Sequence, residues 1–366
     1  MHIIHINLAR GFRGGERQTA LLIEGLARHK IQQTLLVRHD SPLCAIVSTV
    51  PGLSIHKLRK PYVFHLKQKT NGDIMHAHET KAAQWAYLHY LCYRTPYMIT
   101  RRVPHRPKNN FFTRRVYRHA TKLVALSRAI HAVLSAYQPR ADIEIIPSMY
   151  QPTQVDSEHL QQLQKKYVPK NDGKGSSSIL PFIVGHVGAY VDHHKGQNLI
   201  IAAARTLQFR YPELLFLLVG DGPDKKRLMQ QAADLKNVCF AGQQTQVLDY
   251  FALFDLFVFP SLHEGLGSSL LDAIAHKLPM IASKVGGITD IITHEKSGLL
   301  IEPGNAAQLA TAIVRLRENP DLRQKMVQQA SLTLERYSQE RVAQQYYKIY
   351  QAIQNASCAT SDTLLQ

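Results

Sequence analysis

The segment Pro260–Ala273, PSLHEGLGSSLLDA, directly follows an apolar tetrapeptide, Leu256–Phe259, and its reading decides the fold. The apolar run reads as a buried strand. Gly265 and Gly267 turn the chain, and Ser268 opens a helical pattern. A strand that passes through a glycine turn into a helix is a building unit of a parallel sheet. Free backbone N–H groups and the positive end of the helix suit a phosphate at such a turn. Glu264 and Asp272 lie eight residues apart and bracket it. Two carboxylates so placed can accept hydrogen bonds from sugar hydroxyls on either side of a bound diphosphate. The plainer reading is a helix start with Ser268 as its capping group.

The same strand–turn–helix rhythm runs outward in both directions. Towards the C-terminus, strands are expected at Met280–Ala282 and Leu299–Ile301 and helices at Ser268–His276 and Ala306–Glu318. Towards the N-terminus, strands are expected at Phe182–Val187, Leu214–Val219 and Val238–Ala241. Helices near Gln197–Phe209, Asp224–Leu235 and Gln246–Phe254 lie among them. A polar stretch, Lys165 to Ser178, ends in GKGSSS and reads as a linker. Before it the alternation occurs once more. Strand His2–Leu8 leads through Gly11–Gly15 into a helix from about Glu16 to His29, and further strands follow at Gln33–Val37, Ile74–Ala77, Tyr97–Thr100, Leu123–Leu126 and Ile143–Ile146.

Two such runs flanking one linker predict an α/β protein of two doubly wound, Rossmann-like domains facing a central cleft. The expected division is a first domain at 1–150, a linker at 151–178, a second domain at 179–338, a last helix at about 339–355 packing back on the first domain, and a disordered tail at 356–366.

The 366 residues suffice for two cores, and 45% hydrophobic with 19% charged residues is a globular composition. No run approaches the roughly 18 apolar residues of a membrane-spanning helix. The start, MHIIHINLAR, has no basic leader and too short an apolar stretch for a signal peptide. Cys44, Cys92, Cys239 and Cys358 are scattered, so neither a disulfide framework nor a zinc module is expected, and a reducing cytoplasm is the default.

The net charge of +17 is unevenly placed. Residues 1–170 carry 26 Lys and Arg against 9 Asp and Glu, whereas residues 171–366 carry 18 of each. From Arg101 to Lys122, RRVPHRPKNNFFTRRVYRHATK holds eight basic residues among Phe111, Phe112 and Tyr117. No acid occurs between Glu79 and Asp142. Basic and aromatic side chains so interleaved suit an anionic membrane surface or a phosphorylated lipid-linked acceptor; the plainer reading is a solvated helix face.

Glu264-x7-Asp272, preceded by Pro260-Ser261 and followed by Gly286-Gly287, resembles the signature of the family 4 retaining glycosyltransferases of the GT-B fold. The resemblance covers nearly the whole chain. Gly14-Gly15-Glu16-Arg17 is similar to that family's N-terminal glycine loop, and Asp73–His78, DIMHAH, to its D-x-x-H-x-H strand end. Ile146-Pro147, His194-Lys195-Gly196, Gly220–Pro223 and Gly298–Leu300 resemble later motifs in the same order. Each alone is a common turn; their shared order carries the resemblance.

The resemblance implies roles. Asp272 takes the ribose hydroxyls, Glu264 contacts the donor sugar, and Lys195 neutralises the leaving diphosphate. Leu266, Gly267 and Ser268 add backbone donors, and Gly188 belongs to the same donor site. Gly14 and Gly15 let the backbone approach the donor, where a side chain would collide. His78 sits at the mouth of the cleft, near the acceptor hydroxyl. Two positions depart from the family. Ala189 stands where an Arg is usual, leaving Arg13 or Arg17 to supply that charge or leaving it unsupplied. Arg102 stands about where a His is usual, and an arginine cannot act as a base. Arg101 and Arg102 are therefore expected to bind an anionic group of donor or acceptor.

His76 and His78 share one face of a strand and could ligate a metal, but no third ligand shows in the spacing. No metal or other cofactor is expected, since GT-B enzymes generally lack an Asp-x-Asp motif and the sequence holds none. The implied activity is retaining transfer from a nucleotide-diphosphate sugar to a saccharide or glycolipid acceptor of lipopolysaccharide-core or other envelope type, in the cytoplasm, with the basic domain on the inner membrane face. Two rival readings are a nucleic-acid-binding protein using the basic half and a GT-B nucleotide-sugar epimerase. Nucleic acid is not the expected partner, because no recognised nucleic-acid motif is present.

Overall fold

The computed structural model describes residues 1–67, 72–150, 155–168 and 180–363, with side chains to residue 356. The chain divides into two compact units. Unit 1 comprises Met1–Met149 with Arg336–Gln366, and unit 2 comprises Tyr150–Glu335.

Among the described residues of unit 1, seven strands form one parallel sheet. They are β1 (His2–Asn7), β2 (Gln32–Arg38), β3 (Leu53–Leu58), β4 (Ile74–Ala77), β5 (Tyr97–Arg101), β6 (Lys122–Ala125) and β7 (Ile143–Ile145), in the order β3-β2-β1-β4-β5-β6-β7. In unit 2 the strands are β8 (Phe182–Val187), β9 (Leu214–Val219), β10 (Val238–Gly242), β11 (Leu256–Phe259), β12 (Met280–Ser283) and β13 (Leu299–Ile301), in the order β10-β9-β8-β11-β12-β13. Inner strands such as LFVF of β11 are buried along their whole length, because helices cover both faces of a doubly wound sheet. In each sheet the strand order reverses once, between β1 and β4 and between β8 and β11. Open parallel sheets bind ligands at such reversals, beyond the carboxyl ends of the strands.

The last helix, Gln339–Thr363, belongs to unit 1. Val342, Tyr346, Ile349, Tyr350 and Ile353 recur at helical spacing and are all buried against Ile3, Leu22, Met98 and Val124. At roughly 1.5–3 kcal/mol per large apolar side chain, this stripe is ample to anchor the helix. The helix also corrects the expected disordered tail at 356–366. It continues to Thr363, because no Gly or Pro follows Ile353 to stop it and Ala356 and Ala359 favour helix. Residues 364–366 lie outside the described residues.

The expected linker at 151–178 is corrected in part. Helix Ser157–Tyr167 lies within it and starts at Asp156, whose carboxylate accepts from the N–H groups of Glu158 and His159 at 3.0 and 3.2 Å. Asp249 ties it to unit 2 through His159 Nδ1 at 2.7 Å, and Leu163 and Tyr167 are buried. Residues 151–154 and 169–179, including the GKGSSS run, lie outside the described residues. Strand β3 was not expected. It is an edge strand, half exposed, and His56 and Lys57 break the apolar run that marks inner strands.

Candidate functional site

In unit 2 the loops at the β8–β11 reversal carry Gly188 and Pro260–Gly267. They are tied to the segment around Lys195. The N–H groups of Leu262 and His263 donate to the His194 carbonyl at 2.8 and 3.2 Å. Gly196 has φ +67°, and a Cβ there would lie 2.3 Å from the Pro260 carbonyl oxygen. Gly286 has φ +52°, and its Cβ would lie 1.9 Å from the Glu264 carbonyl oxygen. Glycine at both positions thus holds the Pro260–Glu264 loop at two points. Lys195 Nζ consequently donates to Glu264 Oε2 and sits 5.0 Å from the centre of the Phe259 ring. The other carboxylate oxygen accepts from the Gly265 N–H at 3.1 Å. Lys195 also reaches Gly188, its Cδ lying 3.9 Å from where a Cβ of that glycine would stand. Within this unit, then, a lysine stands beside the loop in which Ala189 replaces the family's arginine.

Gly267, at φ +90°, directly precedes helix Ser268–Ala275, and no side chain caps that helix. Ser268 is therefore its first residue and not its cap, which corrects the plainer reading. Leu266 and Asp272 are both buried, Asp272 in the second turn of the helix. The arrangement offers backbone donors and two carboxylates within one strand–turn–helix unit, with one cation brought to it from the segment after β8.

The sequence reading missed His186 and Gln197, which support this loop from behind. The Val258 carbonyl can only accept, so His186 Nδ1 carries the proton it receives at 3.0 Å. Nε2 then accepts from the Gln197 amide at 3.3 Å, and the same amide donates to the Ala189 carbonyl at 2.9 Å. Burial pushes the imidazole down to about 4, so it is neutral at pH 7. The one signal was a histidine on the otherwise apolar strand FIVGHV.

At the β1–β4 reversal of unit 1 the structure supplies the third histidine that the spacing concealed. His5 of β1 lies in register with His76 of β4, and nitrogens of His5, His76 and His78 all fall within 4.8 Å of one another. Hydrogen bonding, however, engages five of the six ring nitrogens. Gln33 donates to the Ile23 carbonyl at 3.0 Å, so its Oε1 accepts from His5 Nε2 at 3.0 Å. His5 Nδ1 then accepts from His78 Nε2 at 3.0 Å. His76 is held by Tyr350 and Thr100, each at 2.7 Å. Burial lowers all three, His5 to about 4. This is a neutral hydrogen-bonded cluster, its lone pairs largely spent on protein groups. His78 itself is 2% exposed. Its Nε2 turns inward onto His5, while its Nδ1 is buried with no hydrogen-bond partner.

The arginines separate. Arg101, last in β5, points into unit 1, where its guanidinium donates to Tyr117 Oη at 2.9 Å and to the His105 carbonyl. It is 7% exposed, and these two bonds engage part of its donor set inside unit 1. Arg102, one residue on, turns to the opposite face, beside Glu16 and the histidines. Arg13 precedes helix Gly14–Ala27 and is exposed, its backbone N–H held by Glu16 at 2.8 Å. Arg17 is half-buried in the first turn. Gly14 and Gly15 open that helix without positive φ. A Cβ on Gly15 would meet Arg102 at an ordinary 3.7 Å, so nothing inside unit 1 demands glycine there.

Comparison with known proteins agrees with this geometry. Residues 12–153 match the family described as glycosyltransferase family 4, and residues 177–333 that described as glycosyl transferases group 1. The chain is 33% identical over 173 residues to the lipopolysaccharide core biosynthesis glycosyltransferase LpsD of Rhizobium meliloti. That match covers 46% of this chain and about half, 49%, of the relative. It is 26% identical to the N-acetyl-alpha-D-glucosaminyl L-malate synthase of Bacillus anthracis, covering 77% of this chain and 75% of that protein. The crystal structure of HepE from Anabaena in complex with UDP shares the fold, with a TM-score of 0.81 at 20% identity over 96% of this chain and 100% of that one. With both of its sheets matched in order to known domains, the chain belongs to the family 4, group 1 glycosyltransferases of the GT-B fold.

Proposed function

We propose that the protein is a retaining glycosyltransferase that moves a sugar from a nucleoside diphosphate sugar, held by unit 2, to a saccharide or glycolipid acceptor offered by unit 1. One observation carries this reading: the Lys195–Glu264 pair beside the uncapped start of helix Ser268–Ala275, at the strand-order reversal. Lys195 and the N–H groups of Leu266, Gly267 and Ser268 meet the charge that grows on the leaving diphosphate. Glu264 contacts the donor sugar, and Asp272 accepts from the ribose hydroxyls. The bond from the sugar's anomeric carbon to the phosphate oxygen breaks, and the acceptor oxygen bonds to the same face. The acceptor's proton passes to the leaving phosphate, so no carboxylate need act as nucleophile. In the resting protein Glu264 neutralises Lys195, and the incoming diphosphate competes for it. The positive charge comes from this chain, so activity is expected to survive a chelator.

The acceptor is of the lipopolysaccharide-core or related envelope type, a reading supported by the Rhizobium relative and by the basic face of unit 1. Helix Phe111–Arg118 leaves Phe111 74% and Phe112 39% exposed beside Arg114, Arg115 and Arg118. Against an anionic cytoplasmic membrane face each basic residue adds about 1 kcal/mol, enough in sum for reversible attachment. Among the described residues no helix is long and apolar enough to cross a membrane.

A thermal-shift panel of UDP, GDP, ADP and CMP, with their sugar conjugates, tests the reading. Ligand at 100 times its dissociation constant stabilises by roughly 2.7 kcal/mol. One nucleotide class should raise Tm, and Asp272→Ala should abolish the shift. If only polynucleotides raise it, in a salt-dependent way, the transferase reading fails. Turnover without any acceptor would instead favour an epimerase.

A further inference from the structure

The carboxyl edge of unit 1 also holds a concavity over β1, β2 and β3. A cavity of about 370 Å³ is lined by Arg10, Arg38, His39, Arg59, Lys60 and Tyr62. These residues follow or end three adjacent parallel strands, β1, β2 and β3, so they gather where such sheets bind ligands. Arg38 is the buried cation among them, Arg10, Arg59 and Lys60 being exposed. Its side chain is only 8% exposed. Nε and Nη2 donate to the two carboxylate oxygens of Asp40, at 2.5 and 2.6 Å. That pairing holds the Asp40 carboxyl down at about 2. It uses one edge of the guanidinium. Nη1 is buried and makes no hydrogen bond of ordinary geometry; besides Asp40, the one group acting on the guanidinium is the Tyr62 hydroxyl, itself in the cavity lining. A buried cationic donor left unsatisfied is costly, and one in a native structure calls for an explanation.

Charge defines what can complete it. Four cations line the cavity and Asp40 offsets one, leaving three positive charges before His39 is considered. Neither an apolar group nor a neutral sugar hydroxyl answers that field. A doubly charged phosphate does, since guanidinium groups pair with it in a fixed fork geometry. The volume falls at the lower end of the range for small-ligand sites, the scale of a phosphorylated monosaccharide.

We propose that this pocket binds a phosphate monoester carried by the acceptor, so that the acceptor is a phosphorylated saccharide or glycolipid. The proposal rests on the reading of unit 1 as the acceptor side. The test is calorimetric titration of the full chain with glucose 6-phosphate, glucose and inorganic phosphate at low salt, with UDP titrated separately. Glucose 6-phosphate and phosphate should bind and glucose should not. Arg59→Ala/Lys60→Ala, which alters two exposed side chains, should weaken glucose 6-phosphate at least tenfold and leave UDP binding unchanged. Arg38→Gln should abolish it, but that change strands Asp40, so the double variant decides if Arg38→Gln does not fold. Equal affinity in wild type and double variant, or no binding to wild type, overturns the proposal. Vesicles of phosphatidic acid identify the source: competition that Arg59→Ala/Lys60→Ala removes points to a lipid headgroup, and its absence to a phosphate on the sugar. If UDP binds and glucose 6-phosphate does not, the pocket falls alone. If glucose 6-phosphate binds and none of UDP, GDP, ADP and CMP does, the donor reading falls and the pocket stands.

Discussion

Lys195 and Glu264 carry the chemistry of the proposed reaction. Lys195→Ala and Glu264→Gln should each lower kcat by about 10²-fold or more, the usual loss when one preorganised group facing a developing charge is removed. Tm should hardly move, because the pair is partly solvated, at 23% and 14% exposure. Normal turnover in either variant would refute its role. Gly286→Ala tests position instead of charge. Its Cβ would meet a backbone oxygen at 1.9 Å in a left-handed conformation. It should cost about 1–3 kcal/mol in urea unfolding and lower kcat as Glu264 shifts. The buried histidines predict a pH dependence. His5 and His186 titrate at about 4 in the fold against 6.5 unfolded. The unfolded chain thus binds more protons between those values, and stability is full above pH 6.5 and lost as pH falls towards 4. Each such histidine contributes up to about 1.4 kcal/mol per pH unit there. Urea midpoints should fall steeply from pH 6.5 to 5; equal midpoints would mean these rings are not buried neutral.

At the scale of elements, sequence legibility followed burial. Strands buried on both faces, such as β9 and β11, stood out as apolar runs, whereas the edge strand β3, with alternating exposure, did not. Helix Thr80–Tyr93 was missed although Glu79 caps it, accepting from Lys81 and Ala82 at 2.6 and 2.7 Å. Its apolar residues are distributed around the helix instead of forming a stripe, and DIMHAH drew the reading to the strand before it. The basic and aromatic character of helix Phe111–Arg118 was legible from composition, but its bounds were not. It buries Thr113, Val116 and Tyr117 and leaves Phe111 outward, with Arg115 stacked 4.6 Å over the ring. Phe111→Ser should therefore weaken attachment to anionic vesicles by roughly tenfold or more, from the lost burial of one aromatic ring. Turnover of a short soluble acceptor should stay unchanged. Unaltered vesicle binding in co-sedimentation would remove this helix from the membrane contact.

For the whole molecule the charge asymmetry is the dominant long-range property. With all of the +17 within residues 1–170, vesicle binding should fall sharply between 0.05 and 0.5 M salt, while binding of whichever nucleotide raises Tm, by the neutral half, changes little. Parallel salt dependences would argue against separate roles for the halves. The sequence by itself determined the α/β alternation, the glycine turn between Glu264 and Asp272, the family and the uneven charge, because each is written in local periodicity, spacing or composition. Tertiary structure alone decided the rest. It paired Lys195 with Glu264 across 69 residues, placed His5 against His76 and His78, and turned Arg101 inward and Arg102 to the opposite face. It also carried Tyr350 from the last helix onto His76, 274 residues away in sequence. Parallel pairing brings together residues that no local pattern links, and burial then decides which of them keep a lone pair or a charge for a ligand.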